Sequence, residues 1–188
     1  MNFRTLTLAA MLSVASLSGT AAVAQDNPEV GGAAMFADKN IVENAVNSAD
    51  HTTLVAAVQA AGLVETLSGE GPFTVLAPVN AAFDALPEGT VETLLKPENK
   101  EMLSTILACH VIPAKALSTD IVGMVEADGG EHMVDTVGGC KLTLKAADGK
   151  VTVTDENGTV ANVTIADVIQ SNGVIHVIDA VLTPKSAM

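Results

Sequence analysis

NGVIHVIDAVLTP, residues 172–184, decides how this chain folds. From Val174 to Leu182 only His176 and Asp179 interrupt an apolar run. A strand with apolar residues on both faces has no wet side, so it belongs in the middle of a sheet. His176 must then be buried there. The strands that flank it are found by reading back along the chain. Val160 to Ile169 gives a second strand. Val151 and Val153 alternate with Thr152 and Thr154, while Cys140, Leu142 and Leu144 alternate with Lys141, Thr143 and Lys145. Both patterns have period two and one solvated face. Asp148-Gly149 and Asn157-Gly158 separate these runs, and Gly there accepts the positive φ that tight hairpins require.

The first half of the chain has the period of helices. Asp50 is placed to cap a helix whose apolar positions are Leu54, Val55, Val58 and Ala61, and Gly62 ends it. Gly71-Pro72 breaks the chain before a short buried strand, Phe73 to Leu76. Asn80 is placed to cap a short helix through Ala81-Ala82-Phe83. Pro97 opens a helix with Met102, Leu103, Ile106 and Leu107 on one face. Val111-Ile112 reads as a strand that stops at Pro113, and His110 is assigned to the same apolar strand. Helices first and an antiparallel meander afterwards predict an α+β fold.

Composition narrows the functions available. The chain has 188 residues, no Trp, no Tyr and four Phe, so it offers almost no aromatic platform for stacking bases or sugars. Asp and Glu number 22 against 9 Lys and Arg, a formal charge of −13. No basic stripe exists to displace counterions from phosphates, which argues against nucleic acid and against an anionic membrane surface as partners.

Residues 1–24 read as a secretory signal peptide. Arg4 supplies the charged start, a short apolar run extends from Leu6 to Leu17, and Ala22-Val23-Ala24 is a cleavage site before Gln25-Asp26. The run is well short of the roughly 20 residues of a membrane-spanning helix. The expectation is an exported protein, periplasmic or extracellular, with no membrane insertion after signal removal. Residues 25–35 are polar and Gly-containing and read as a loose tail.

Export decides the reading of Cys109 and Cys140, the two cysteines of the chain. An even count in an oxidising compartment favours a disulfide, with two buried free thiols as the competing reading. No CxxC is present, and none of His51, His110, His132 and His176 belongs to HExxH or has helical metal-ligand spacing. His110 and His176 are read as structural, and His51 and His132 as loop residues without a role. GxSxG, SxxK and phosphate-loop signatures are absent. Asp155-Glu156-Asn157-Gly158 lacks the rest of a calcium loop and reads as a turn. Asn157-Gly158-Thr159 and Asn162-Val163-Thr164 match glycosylation acceptors, which are incidental if the source is bacterial, as the signal-peptide style and the absence of Tyr and Trp suggest. The chain therefore shows no cofactor and no catalytic motif.

Three motifs carry a family resemblance. GPFTVLAPVNAAFDALP (Gly71 to Pro87) resembles the first signature of the fasciclin domain, and Asn172 to Pro184 resembles its closing signature. ILACHVIP (Ile106 to Pro113) corresponds to the central Tyr-His segment, with Cys109-His110 in place of Tyr-His. The resemblance spans about residues 36–184 as one domain. It implies an α+β fold with N-terminal helices packed on an antiparallel meander or β-sandwich-like core. Pro78, Asn80, Phe83, His110 and His176 then hold its structural motifs, with Pro78 and Asn80 leading the first strand into the helix of Phe83. In animal members an Asp-Ile near the closing signature is linked to integrin binding; the corresponding pair here is Asp167-Val168. The resemblance implies a secreted, bacterial, non-enzymatic module for adhesion, with a surface protein or matrix polymer as partner. The alternative from another class is a periplasmic enzyme or small-ligand carrier with a pocket that sequence does not reveal.

Overall fold

A computed structural model of the chain describes residues 27–185. The signal peptide expected at 1–24 lies outside the described residues. Elements run α1 (Ile41–Ala45), α2 (Thr52–Ala61), α3 (Val64–Ser68), β1 (Phe73–Pro78), α4 (Asn80–Asp84), α5 (Thr90–Leu94), α6 (Lys100–Ala108), β2 (Val111–Ile112), α7 (Ser118–Ala127), β3 (His132–Asp135), β4 (Lys141–Ala147), β5 (Lys150–Thr154), β6 (Val160–Gln170) and β7 (Gly173–Ile178).

The strands form one seven-stranded sheet in the order β2-β1-β7-β6-β5-β4-β3. From β3 to β7 it is the antiparallel meander that the alternation predicts. The fold is α+β, but its sheet is mixed: β1 lies parallel to β7, Val75 opposite Ile175. The other half of the chain separates these two strands, so no hairpin signal could report their pairing. All six residues of β7 are buried. Ile175 and Val177 join Val75, Ala77 and Val168 in a core covered by Leu54, Val58, Leu103, Ile106, Leu107 and Phe83 of the helices. On the other face Ile178 joins Leu76, Leu142, Leu144, Val153 and Leu182, covered by Ile121 and Val125 of α7. Two cores, one on each side, are the physical reason that β7 carries apolar residues at both parities.

Several local expectations are corrected. Asp50 lies in a 3-10 turn, Ala49–His51, and does not cap α2. The cap comes from a distant residue: Asn80 Oδ1 accepts from Thr53 N–H at 3.0 Å and from Thr52 Oγ1–H at 3.2 Å, and Asn80 Nδ2 donates to Ala49 O at 2.9 Å. Asn80 is itself the first residue of α4, with Val79 at its N-cap, and Pro78 closes β1. Gly62 ends α2 in the left-handed conformation, φ 75°. Met102 is 46% exposed while Leu103, Ile106 and Leu107 are buried, so the apolar face of α6 is narrower than the run of residues suggests.

His110 and Cys109 stand in the turn after α6, not in a strand. The last strand stops at Ile178, where Asp179 turns back to accept from Asn162 N–H at 2.7 Å and Asn162 Nδ2 at 2.8 Å. Asp148-Gly149 makes the tight hairpin with φ of 53° and 75°, whereas at Asn157-Gly158 only the glycine has positive φ and the loop is wider. His132 begins β3 instead of lying in a loop, and α7 fills a stretch that periodicity left unassigned. The segment read as a loose tail is docked from Asn27 onward. Val30 and Met35 are buried, Asn27 Nδ2 donates to Ile169 O at 2.6 Å, and Ile169 N–H donates to Asn27 Oδ1 at 2.9 Å.

Candidate functional site

Three histidines sit in the interior, and each has its two ring nitrogens engaged. His110 Nε2 accepts from Leu182 N–H at 3.0 Å, which fixes the proton on Nδ1, and this donates to Ile106 O at 2.8 Å. The ring thus ties the end of α6 to the segment after β7. His176 Nδ1 accepts from Asp167 N–H at 3.3 Å, and Nε2–H donates to Ala116 O at 2.8 Å. His51 pairs Nδ1 with Ser48 Oγ at 2.8 Å and Nε2 with Ala77 O at 3.4 Å, so this supposed loop residue is a buried staple on β1. Burial pushes all three imidazoles below their ordinary value, because a protonated ring would lose its water shell. His110 is pushed down to about 4, against the opposing pull of the Ile106 carbonyl and the Asp155 charge.

Two carboxylates organise the loops around these rings. Asp155 is buried, and Oδ1 accepts from Asn157 N–H at 2.9 Å and Thr159 N–H at 2.8 Å. Its Oδ2 accepts from Thr183 N–H at 2.9 Å, so one side chain joins the β5–β6 loop to the segment after β7. Asn157 secures the same seam by donating from Nδ2 to Thr183 O at 3.0 Å. From the sequence alone this stretch reads only as an acidic turn. An Asp two residues before Asn-Gly was the signal available, since Asp readily accepts from the backbone two residues on.

Asp167 adopts φ 58° in β6. Its Oδ1 accepts from Ser118 N–H at 2.6 Å and its Oδ2 accepts from Ser118 Oγ–H, which anchors the first turn of α7. Val168 is fully buried and packs in the helix-covered core. The pair singled out as a binding motif is therefore engaged within the domain. Cys109 and Cys140 are joined by a disulfide with Cα atoms 5.3 Å apart. Cys109 is the C-cap of α6, so the bridge links a helix end to the residue before β4. Gly138 lies against this link, where an added Cβ would come 2.7 Å from Cys109 N.

A cavity of about 40 Å³ lies between α1, α2, α3 and the β1/β7 pair. Leu54, Val58, Leu67, Val75 and Ile175 form its buried wall, and Val42, Val55 and Val64, half-buried, stand toward solvent. Among the described residues, no three His, Cys, Asp or Glu side chains are grouped to hold a metal ion. No helix among them is long and apolar enough to cross a membrane.

These features define a class: an α+β module whose polar interior serves to fasten loops onto one mixed sheet. The family model described as Fasciclin domain matches residues 49–184, and the chain belongs to that family. Protein sll1483 of Synechocystis sp. is 53% identical over 144 residues, covering 77% of this chain and 73% of the relative. Cell surface glycolipoprotein MPB83 of Mycobacterium bovis is 33% identical over 174 residues, covering 89% of this chain and 71% of the relative. The solved FAS1 domain pair of the insect cell adhesion molecule Fasciclin I superposes with a TM-score of 0.69 at 17% identity, covering 79% of this chain and 52% of that one, and so shares the fold.

Proposed function

We propose that this chain is an exported, non-enzymatic binding and adhesion module of the fasciclin type. It acts in the periplasm or outside the cell after loss of residues 1–24, and its partner is a surface protein or matrix polymer. The observation that carries this reading is the engagement of the interior polar groups. His51, His110, His176, Asp155 and Asp167 are each hydrogen-bonded to the protein's own main chain. Such groups stabilise a scaffold, and a general acid or base must instead face a substrate. The similarity to a cell surface glycolipoprotein and the fold shared with a cell adhesion molecule support the same reading. Contacts then fall to the surface, which is acidic, and to the loops. The interaction surface includes the region of Asp167 and Val168, which the family resemblance singles out, and Asp167 also fixes the start of α7 through Ser118. Mature protein on beads, offered envelope fractions of its host with and without a divalent-ion chelator, tests the proposal. Saturable capture that free mature protein competes away is the expected outcome. Absence of any competable capture in both conditions would overturn it.

A further inference from the structure

The cavity between α1, α2, α3 and the sheet has a chemical specificity that the adhesion reading does not use. Its wall is aliphatic: Leu54, Val58, Leu67, Val75 and Ile175. A water molecule needs two to four polar partners to stay in such a space. The wall offers His110, but both ring nitrogens are already taken, by Ile106 O and Leu182 N–H. Gln59 stands exposed at the rim. Water therefore has nothing to bind inside, and the space accepts only apolar atoms. With about 40 Å³ available, it holds one or two carbon-sized groups. The rest of a ligand must extend outward past the half-buried Val42, Val55 and Val64.

We infer that this cavity binds the end of a single aliphatic chain carried by a small neutral molecule. A neutral chain is favoured over a fatty carboxylate by the charge of the protein, −13, and by the acidic residues Glu43 and Glu65 on the helices that frame the mouth. A chain free in solution is favoured over one held in a bilayer, since the helices that frame the mouth are only five to ten residues long and carry the acidic Glu43 and Glu65, which an anionic membrane surface would repel.

The test uses mature protein with labelled Val, Leu and Ile methyl groups, titrated with 1-octanol, with octanoate and with phosphatidylcholine vesicles while methyl NMR is recorded. Saturable shifts with 1-octanol are expected at Val55, Val58, Leu67 and Ile175. The second core, at Leu142, Leu144 and Val153, should not respond. Val58→Ile places an extra methylene in the cavity and should weaken 1-octanol binding at least tenfold. Leu67→Ala enlarges the cavity and should tighten binding, so a folding failure in one variant leaves the other to decide. Equal shifts in both cores, an equal or stronger response to octanoate, a response to vesicles alone, or no saturable shift in the parent protein would each overturn the inference.

Discussion

Lowering the pH should loosen this domain, with His110 a main contributor. The ring is fully buried and its Nε2 receives the Leu182 N–H, so a proton added there would set one donor against another. In the unfolded chain the imidazole titrates near 6.5, and in the folded protein at about 4. Between those values the unfolded state binds a proton that the folded state refuses. Stability is therefore complete above pH 6.5 and falls as the pH drops toward 4. At 1.36 kcal/mol per pH unit, the shift corresponds to a loss of about 3 kcal/mol, a large share of the roughly 5–15 kcal/mol of a typical domain. His51 and His176 act in the same direction, since burial lowers both. Urea denaturation of mature protein at pH 7, 5.5 and 4.5 measures the loss. His110→Gln provides the comparison. It should be less stable at pH 7 by about 1–3 kcal/mol, because the Gln amide can accept from Leu182 N–H but cannot also donate to Ile106 O from the position of Nδ1, and its stability should fall less steeply with acid, by one proton. Identical pH slopes for the two proteins would refute the argument, because other titrating groups are common to both.

Three other outcomes follow from the same contacts. Replacing Cys109 and Cys140 together with Ala removes a link across a separation of 31 residues. The chain-entropy model predicts a loss of about 3–4 kcal/mol by chemical denaturation, and thiol titration of the unreduced, denatured parent protein from its host should find no free thiol. Asp155→Ala takes the acceptor from the N–H groups of Asn157, Thr159 and Thr183. Because these groups are only partly buried, the loss should be about 1–3 kcal/mol in all, and the β5–β6 loop and residues 179–185 should also lose their protection in hydrogen exchange, whereas unchanged exchange would deny the seam its role. Intact mass of the exported protein should place its N-terminus at Gln25; a species that retains Leu6 to Leu17 would contradict the signal-peptide reading.

The patterns that report burial were legible without coordinates. The apolar run at Val174 to Ile178 marked the central strand, period two marked β4 and β5, and Asp148-Gly149 marked their hairpin. Each is local: a residue's place in its own element shows in its immediate neighbours. The cysteine pair was legible for a different reason, since count and compartment suffice to propose a bridge. What count and compartment do not reveal is that Cys109 closes helix α6. The candidate site was less legible than the fold. His110 and His176 could be read as buried and structural, but nothing nearby in sequence reveals that their partners are Leu182, Asp167 and Ala116. Asp167 and Val168 entered through resemblance alone, and their engagement with Ser118 and the core emerged only in three dimensions.

The sequence by itself determined the buried central strand, the alternation of β4 and β5, the hairpin turn between them and the surface charge. Tertiary structure alone decided which elements meet. The parallel pairing of β1 with β7, the capping of α2 by Asn80 and the joining of Thr159 to Thr183 through Asp155 link residues far apart in the chain. Periodicity records that a side chain must leave water. It carries no mark of the partner, because hydrophobic attraction is non-directional and a distant hydrogen bond is selected only once the packed layers bring its two ends together.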